Sequence, residues 1–94
     1  MKSVPQRSDF RHLHPVRVRW AEVDPQGIVF NGNYLTYADV GITEYFRAIG
    51  VAFPGELAAD GAEFFAVKTL LNYLAPAHFD DALDVGIRVS RLGR

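Results

Sequence analysis

Two short stretches of the sequence carry residues whose types and spacing suit chemistry at a carbonyl group. The first, Asp24-Pro-Gln-Gly27, has the composition of a tight turn that begins with an acidic side chain. The second, Asn31-Gly-Asn33, begins seven residues after Asp24 and opens a predicted helix. Because the first N–H groups of a helix lack internal partners, they can hold an oxygen atom that develops negative charge. A carboxylate close to a helix N-terminus suits acyl transfer.

The same two stretches also have a purely structural interpretation. Asp-Pro-x-Gly is common as a plain turn, and Asn before a helix is common as a plain cap. Spacing alone therefore leaves a functional and a structural interpretation open.

An alternating strand is predicted immediately before the turn. Val16, Val18 and Trp20 alternate with Arg17 and Arg19. A period of two predicts a strand in which the two valines and the tryptophan face a core while both arginines share the other face.

One long amphipathic helix is predicted over residues 33–49, since apolar side chains recur there at steps of three and four residues. Gly50 is well placed to end this helix in a left-handed conformation. Gly41, inside the helix, indicates either the close approach of a strand or ligand, or a tolerated imperfection. The predicted apolar stripe consists of Leu35, Ala38, Ile42, Tyr45, Phe46 and Ile49.

Two further strands are predicted in the second half of the chain. Residues 62–74 are rich in β-formers with two apolar faces, which predicts a central strand covered on both sides. Residues 83–90 alternate between apolar and polar side chains, which predicts a half-exposed strand. We expect a loop over residues 51–61 and a flexible lead-in over residues 1–13.

Composition limits the classes of function. The chain has 94 residues, of which 49% are apolar and 22% charged, as expected of one globular domain. Its net charge of −1 offers no basic field for nucleic acid, and no apolar run is long enough to predict a membrane span. It contains no cysteine, and its N-terminus lacks the apolar core of a signal peptide, so we expect a cytoplasmic protein.

The three histidines do not predict a metal site. His12 and His14 are two residues apart with no third ligand near them, and His78 is expected to be an exposed loop residue. We expect no metal and no other cofactor.

Residues 18–37, which contain the motif Asp24-Pro-Gln-Gly-Ile-Val-Phe-Asn31, resemble the signature of hot-dog-fold acyl-CoA thioesterases related to 4-hydroxybenzoyl-CoA thioesterase. The resemblance continues through residue 50. Residues 72–81 and 83–94 are similar to the family's next strand, loop and strand. The first motif is the most specific of these.

The resemblance implies hydrolysis of an acyl-CoA or acyl-carrier thioester. Asp24 matches the family's catalytic carboxylate and is expected to act either as the nucleophile, forming an acyl-enzyme anhydride, or as a general base on water. The main-chain N–H of Asn31 matches the group that polarises the thioester carbonyl. Gly27 lets the backbone pass close to the ligand, and Tyr34 either lines the acyl pocket or packs on the sheet.

Asp39 competes with Asp24 for the catalytic role. A related hot-dog branch carries its carboxylate within the central helix, and Asp39 falls at that spacing, twelve residues after Gly27. That branch also carries His-Gly-Gly before the helix, where this chain has Phe30-Asn-Gly. The resemblance therefore favours Asp24 as the reactive group and Asp39 as a polar pocket group or an exposed helix residue.

Three arginines near the end of the last predicted strand are candidates for binding the CoA phosphates, because the planar guanidinium suits phosphate. Ordinary solvated strand charges are the alternative. The three are Arg88, Arg91 and Arg94.

The resemblance also implies an assembly and a complete fold. Family active sites lie between paired subunits, so a homodimer or homotetramer is expected. We expect residues 1–94 to form a single α+β domain with a hot-dog fold, in which an antiparallel sheet wraps one long central helix, lacking its C-terminal strands and showing little activity alone. A non-hydrolytic acyl-CoA-binding module is the alternative function, and a purely structural dimerisation domain is a third.

Overall fold

The computed structural model describes residues 5–52 and 66–90. Within them the chain forms one long helix packed on a two-stranded antiparallel sheet. In chain order the elements are the 3-10 turn Arg7–Asp9, strand β1 Leu13–Arg17, the 3-10 turn Trp20–Glu22, helix α1 Asn33–Ala48 and strand β2 Ala82–Gly86. Strand β1 therefore begins at the last residue of the predicted lead-in.

Strands β1 and β2 pair in an antiparallel register that sets Val16 opposite Leu83. The pairing continues beyond β1, because the N–H of Val18 donates to the carbonyl of Asp81 at 2.9 Å and the carbonyl of Val18 accepts from the N–H of Asp80 at 3.0 Å. Val18 is only 1% exposed, and Val16 packs against the same core. The predicted inward face is confirmed for both valines.

The prediction for Trp20 is wrong. Strand β1 ends at Arg17, and Trp20 begins a 3-10 turn in which its side chain is 74% exposed. The alternation stops because the chain turns after Arg19, whose backbone caps that turn. The indole ring lies edge-on to the ring of Phe79, with 5.3 Å between their centroids.

Helix α1 ends as the sequence predicts. Gly50 has φ +83°, and its N–H donates to the carbonyl of Arg47. The N–H of Val51 reaches back to the carbonyl of Phe46 at 2.9 Å. These two bonds form a Schellman motif, which satisfies carbonyl groups that the last turn of a helix leaves without partners.

The buried face of α1 differs from the predicted stripe. Tyr37 and Gly41 are its buried residues, whereas Leu35 and Ile49 are 43% and 46% exposed. The sheet made by β1 and β2 contacts the helix along the Tyr37 and Gly41 side. Packing against this sheet, rather than the apolar periodicity alone, therefore decides which side of the helix is covered.

Gly41 lies where the helix and the sheet approach closely. This confirms the first of its two interpretations and not the tolerated imperfection. A Cβ atom built at this position would lie 2.5 Å from Cγ1 of Val85 and 3.1 Å from Cγ1 of Ile87. Carbon atoms pack at about 3.5–4.0 Å, so the hydrogen of glycine is what permits the observed separation.

Replacing Gly41 by alanine should destabilise the protein by up to about 2 kcal/mol. Overpacking costs about 1–3 kcal/mol, and the better helix propensity of alanine offsets about 1 kcal/mol of it. Urea denaturation would measure the change in the free energy of unfolding. In a Val85→Ala background the same substitution should cost less, because the nearest methyl group is gone. A net stabilisation by Gly41→Ala alone would contradict the close approach.

The central strand predicted over residues 62–74 does not form within residues 66–74, its described part. Val67 and Leu74 are 95% and 75% exposed there. A strand requires a hydrogen-bonded neighbour, and the two described strands pair with each other. The strand predicted over 83–90 is confirmed as the shorter β2. Residues 62–65, and most of the loop predicted over 51–61, lie outside the described residues.

Candidate active site

The predicted turn at Asp24 is the end of a short hairpin. Val23 and Val29 form an antiparallel bridge, and the N–H of Asp24 donates to the carbonyl of Ile28 at 2.9 Å. The N–H of Gly27 donates to the carbonyl of Asp24 at 2.9 Å, which closes the turn. Gly27 has φ +78°, a backbone conformation that glycine adopts without strain. The turn prediction is therefore confirmed.

The carboxylate of Asp24 is partly buried and held at one oxygen. Its Oδ1 accepts a hydrogen bond from the N–H of Gln26 at 2.8 Å, the usual arrangement of an Asx turn. Within residues 5–52 and 66–90 no donor contacts Oδ2. One oxygen thus fixes the orientation of the carboxylate.

Residues 77–79 also form hydrogen bonds to the hairpin. The N–H of Val29 donates to the carbonyl of Ala77 at 2.8 Å, and the N–H of Phe79 donates to the carbonyl of Gly27 at 3.1 Å. Ala77 and Val29 are both buried, at 7% and 2% exposed. They form the small core together with Val18 and Tyr37. The turn that carries Asp24 is therefore bonded to both its own strand and a distant segment.

Asn31 occupies the second position of a turn that leads into α1. The N–H of Asn33 donates to the carbonyl of Phe30 at 2.9 Å, and Gly32 has right-handed helical dihedrals of −64° and −23°. Among the hydrogen bonds of the described residues, none uses the main-chain N–H of Asn31 as a donor. That N–H lies at the positive end of the helix and can donate a hydrogen bond to an oxygen atom of a ligand.

A cavity of about 210 Å³ opens beside Asn31. The hydroxyl oxygen of Tyr34 accepts a hydrogen bond from the N–H of Ala77 at 3.1 Å, and its ring centroid lies 5.6 Å from that of Tyr73. Tyr34 thus both lines the cavity and packs against the 73–77 segment. The lining includes Ile28, Val29, Asn31, Tyr34, Tyr73 and Pro76.

A larger cleft, of about 450 Å³, lies between α1 and residues 11–14. It contains neither Asp24 nor Asn31, and Gly41 forms part of its wall. We assign the candidate site to the smaller cavity. Ile28 and Val29 of the Asp24 hairpin meet Asn31 there, and the Asn31 N–H has no acceptor among the described residues, although Asp24 itself does not line this cavity.

Sequence reasoning missed a buried carboxylate next to this hairpin. Glu22 is 7% exposed, and its Oε1 accepts from the hydroxyl of Tyr37 at 2.7 Å and from the N–H of Arg19 at 2.8 Å. Its Oε2 accepts from Nε of Arg19 at 2.6 Å. Nothing in the neighbouring sequence distinguishes Glu22 from a surface carboxylate, so no local signal could have found it.

These contacts keep Glu22 ionised. Burial raises the pKa of the Glu22 carboxyl, but hydrogen bonds from the Arg19 backbone, the Tyr37 hydroxyl and the Arg19 guanidinium outweigh it and leave the pKa below its usual range. Burial, followed by the hydrogen bond to Glu22, raises the pKa of Tyr37. Tyr37 therefore stays a neutral donor at physiological pH.

The backbone of Glu22 also contacts the start of the helix. Its carbonyl accepts from the N–H of Phe30 at 3.0 Å and from Nδ2 of Asn33 at 2.8 Å. The carbonyl therefore touches residues on both sides of Asn31.

The other candidate residues that the structure describes, Asp39 and Arg88, do not line the smaller cavity. Asp39 is exposed and lies about 200° around α1 from each of the buried residues Tyr37 and Gly41. Arg88 lies over the ring of Phe10 at 5.8 Å and lines a surface depression with Ile49, at the opposite end of α1 from Asn31. The remaining arginines of that cluster, Arg91 and Arg94, lie outside the described residues.

His78 is exposed, as the sequence predicts, and its N–H donates to Oδ2 of Asp81 at 2.8 Å. Over the described ranges, no three His, Asp or Glu side chains converge on a position that could hold a metal ion. No helix of those ranges is long and apolar enough to cross a membrane.

Comparison with known proteins identifies the family. Residues 26–94 match the model of the thioesterase superfamily, a match that includes Asn31 and begins two residues after Asp24. Acyl-CoA thioesterase YbgC of Haemophilus influenzae is 34% identical over 79 residues, which cover 83% of this chain and 57% of that protein. Acyl-CoA thioester hydrolase YbgC of Escherichia coli O6:H1 is 28% identical over 78 residues, covering 83% and 58%.

This chain thus spans about three fifths of the length of the curated relatives it matches. A single long helix packed against an antiparallel sheet agrees with the family's fold. The chain therefore belongs to the thioesterase superfamily and has its α+β hot-dog fold.

Proposed function

We propose that the protein hydrolyses an acyl-CoA or acyl-carrier thioester to a free acid and a thiol. The observation that carries this proposal is the Asn31 N–H, which has no acceptor in the described residues and borders a cavity next to the hairpin of Asp24. The printed names of the relatives, acyl-CoA thioesterase and acyl-CoA thioester hydrolase, support the same reaction.

Asp24 supplies the reactive carboxylate. As a general base, it takes a proton from water while the water oxygen bonds to the thioester carbonyl carbon, and the C–S bond then breaks with the proton passing to sulfur. As a nucleophile, its oxygen displaces the thiolate to form a mixed anhydride, which water then cleaves. The Asx turn holds Oδ1, and no donor among the described residues contacts Oδ2, which supports either role.

Asn31 stabilises the negative charge that develops on the thioester oxygen. The donor is its main-chain N–H, already fixed by the turn between Phe30 and Asn33. A preorganised donor of this kind costs no rearrangement when charge appears on the carbonyl oxygen. The identity of the side chain at position 31 is therefore free to vary.

The acyl group occupies the cavity lined by Tyr34, and Gly27 allows the chain to pass closely beside it. No atom of the described residues lies within 4 Å of a Cβ built on Gly27, so they leave space at that point of the turn. The tyrosine ring offers an apolar surface to the acyl chain.

Binding of the CoA phosphates requires a second subunit in this proposal. Arg88 lies near the C-terminal end of α1, whereas Asn31 precedes its N-terminal end, and the 16 residues of the helix span about 24 Å. We therefore propose that Arg88, with Arg91 and Arg94, serves the substrate of a neighbouring copy in a homodimer or homotetramer. Asp39, exposed on the outer face of α1, would meet ligand only across such an interface.

A panel of acyl-CoA thioesters with a thiol-detecting dye tests the proposal. Short-chain and aromatic acyl groups should release thiol at a rate proportional to protein concentration. Binding of acyl-CoA without any thiol release, measured by calorimetry, would instead support the non-hydrolytic binding module. If the protein neither binds acyl-CoA nor releases thiol, only the third interpretation, a structural dimerisation domain, remains.

A further inference from the structure

Charged side chains are seldom buried in proteins unless they are paired. Glu22 is the buried charged residue among those that the structure describes, at 7% exposed. Removing a charge from water is costly unless hydrogen bonds replace the lost solvent. The carboxylate of Glu22 receives three such bonds, from Arg19 twice and from Tyr37 once.

The carboxylate joins two elements that the chain separates. Arg19 belongs to the turn that follows β1, while Tyr37 lies in α1, one turn after Asn33. The bond from the Tyr37 hydroxyl therefore ties the first turns of the helix to the residues that lead into the hairpin.

The carbonyl of the same residue holds the chain on both sides of Asn31. It accepts from the N–H of Phe30 and from the side-chain amide of Asn33. Two donors that flank one residue restrict where its own N–H can point. Asp24 follows Glu22 by two residues and begins the turn of the hairpin.

We infer that Glu22 is a positioning residue, which sets the Asn31 N–H relative to the Asp24 carboxylate through its own carbonyl and carboxylate. This inference rests on the function proposed above. Glu22 does not line the cavity, and it acts on the reaction only by holding the chain around the Asn31 N–H, which borders the cavity.

Glu22→Gln tests the inference, with Glu44→Gln as the matched control. The amide nitrogen of glutamine cannot accept a hydrogen bond, so either Arg19 or Tyr37 loses its acceptor. Glu44 lies on α1 and pairs with Arg47, and over the described residues no hydrogen bond joins it to the hairpin. Tyr37→Phe is a milder second variant, because it deletes one hydroxyl and leaves both bonds from Arg19.

Steady-state kinetics of thioester hydrolysis should distinguish a loss of positioning, which lowers kcat, from a loss of substrate binding, which raises KM. We expect Glu22→Gln to lower kcat by up to about 100-fold, as misplacement of reacting groups does, while KM stays within about threefold. Tyr37→Phe should lower kcat by a smaller factor, and Glu44→Gln should leave it unchanged. Unchanged kcat in a folded Glu22→Gln protein, or a loss that merely matches its unfolded fraction, would overturn the inference.

The resonance of the Asn31 amide gives a readout that does not depend on activity. In ¹H–¹⁵N spectra it should shift in Glu22→Gln and Tyr37→Phe but not in Glu44→Gln. An unmoved Asn31 resonance in both variants would overturn positioning even if hydrolysis is observed. If the unmodified protein hydrolyses no thioester while the resonance shifts as expected, the proposed function fails and the positioning of the N–H stands.

Discussion

Replacing Asp24 by asparagine should lower the rate of thioester hydrolysis by about 100- to 10,000-fold, the range that general acid–base groups supply. The amide can neither take a proton from water nor attack a carbonyl carbon. Its Oδ1 can still accept from the N–H of Gln26, so the Asx turn should persist. Turnover of the best acyl-CoA from the panel, followed with a thiol dye, measures the loss.

Asp39→Asn is the matched control for this experiment. Asp39 undergoes the same chemical change on the exposed face of α1. We expect its kcat to stay within about twofold of the unmodified protein, as for a surface substitution away from the reacting groups. If Asp39→Asn loses activity and Asp24→Asn keeps it, the chemistry belongs to the helix and the assignment of Asp24 is wrong.

Replacing Asn31 by proline should remove the carbonyl-polarising donor and leave the backbone path intact. Position 31 is the second residue of a turn closed by the Asn33 N–H, and proline is favoured at that position. No hydrogen bond is lost in the free protein, because within its described part the Asn31 N–H has no acceptor. We expect kcat to fall about 100- to 1,000-fold, equivalent to about 2.7–4 kcal/mol of transition-state stabilisation.

The Asn31→Ala variant keeps the main-chain N–H and changes only the side chain. It should retain kcat within about threefold, since an exposed side chain is removed and the donor remains. Thermal unfolding of both variants shows whether the turn has survived. If kcat falls equally in the alanine and proline variants while both proteins stay folded, the side chain of Asn31 and not its main-chain N–H polarises the carbonyl.

The sequence correctly predicted the features that depend only on a few neighbouring residues. The turn at Asp24, the left-handed Gly50 and the helix that begins at Asn33 each follow from a few neighbouring residues. The position of Asn31 before the helix was found in the same way. For Gly41 the sequence left a close approach and a tolerated imperfection both open, and the contact with Val85 decides for the close approach.

Features that depend on distant contacts were not predictable in this way. Trp20 fits the period of a strand, but the chain leaves the sheet before reaching it. Residues 66–74 have strand composition and no hydrogen-bonded neighbour among the described strands. The bond between Glu22 and Tyr37 joins residues 15 positions apart, and nothing in the sequence next to either residue indicates its partner.

The bond between Tyr37 and Glu22 also constrains how this sequence can change over generations. Losing the hydroxyl alone removes one donor from a buried carboxylate, and losing the carboxylate alone leaves a buried hydroxyl without an acceptor. Either single substitution passes through a less stable intermediate, whereas an apolar pair of similar volume avoids both penalties. Positions 22 and 37 should therefore vary together among homologous chains, and recombination that separates them should yield poorly folded hybrids.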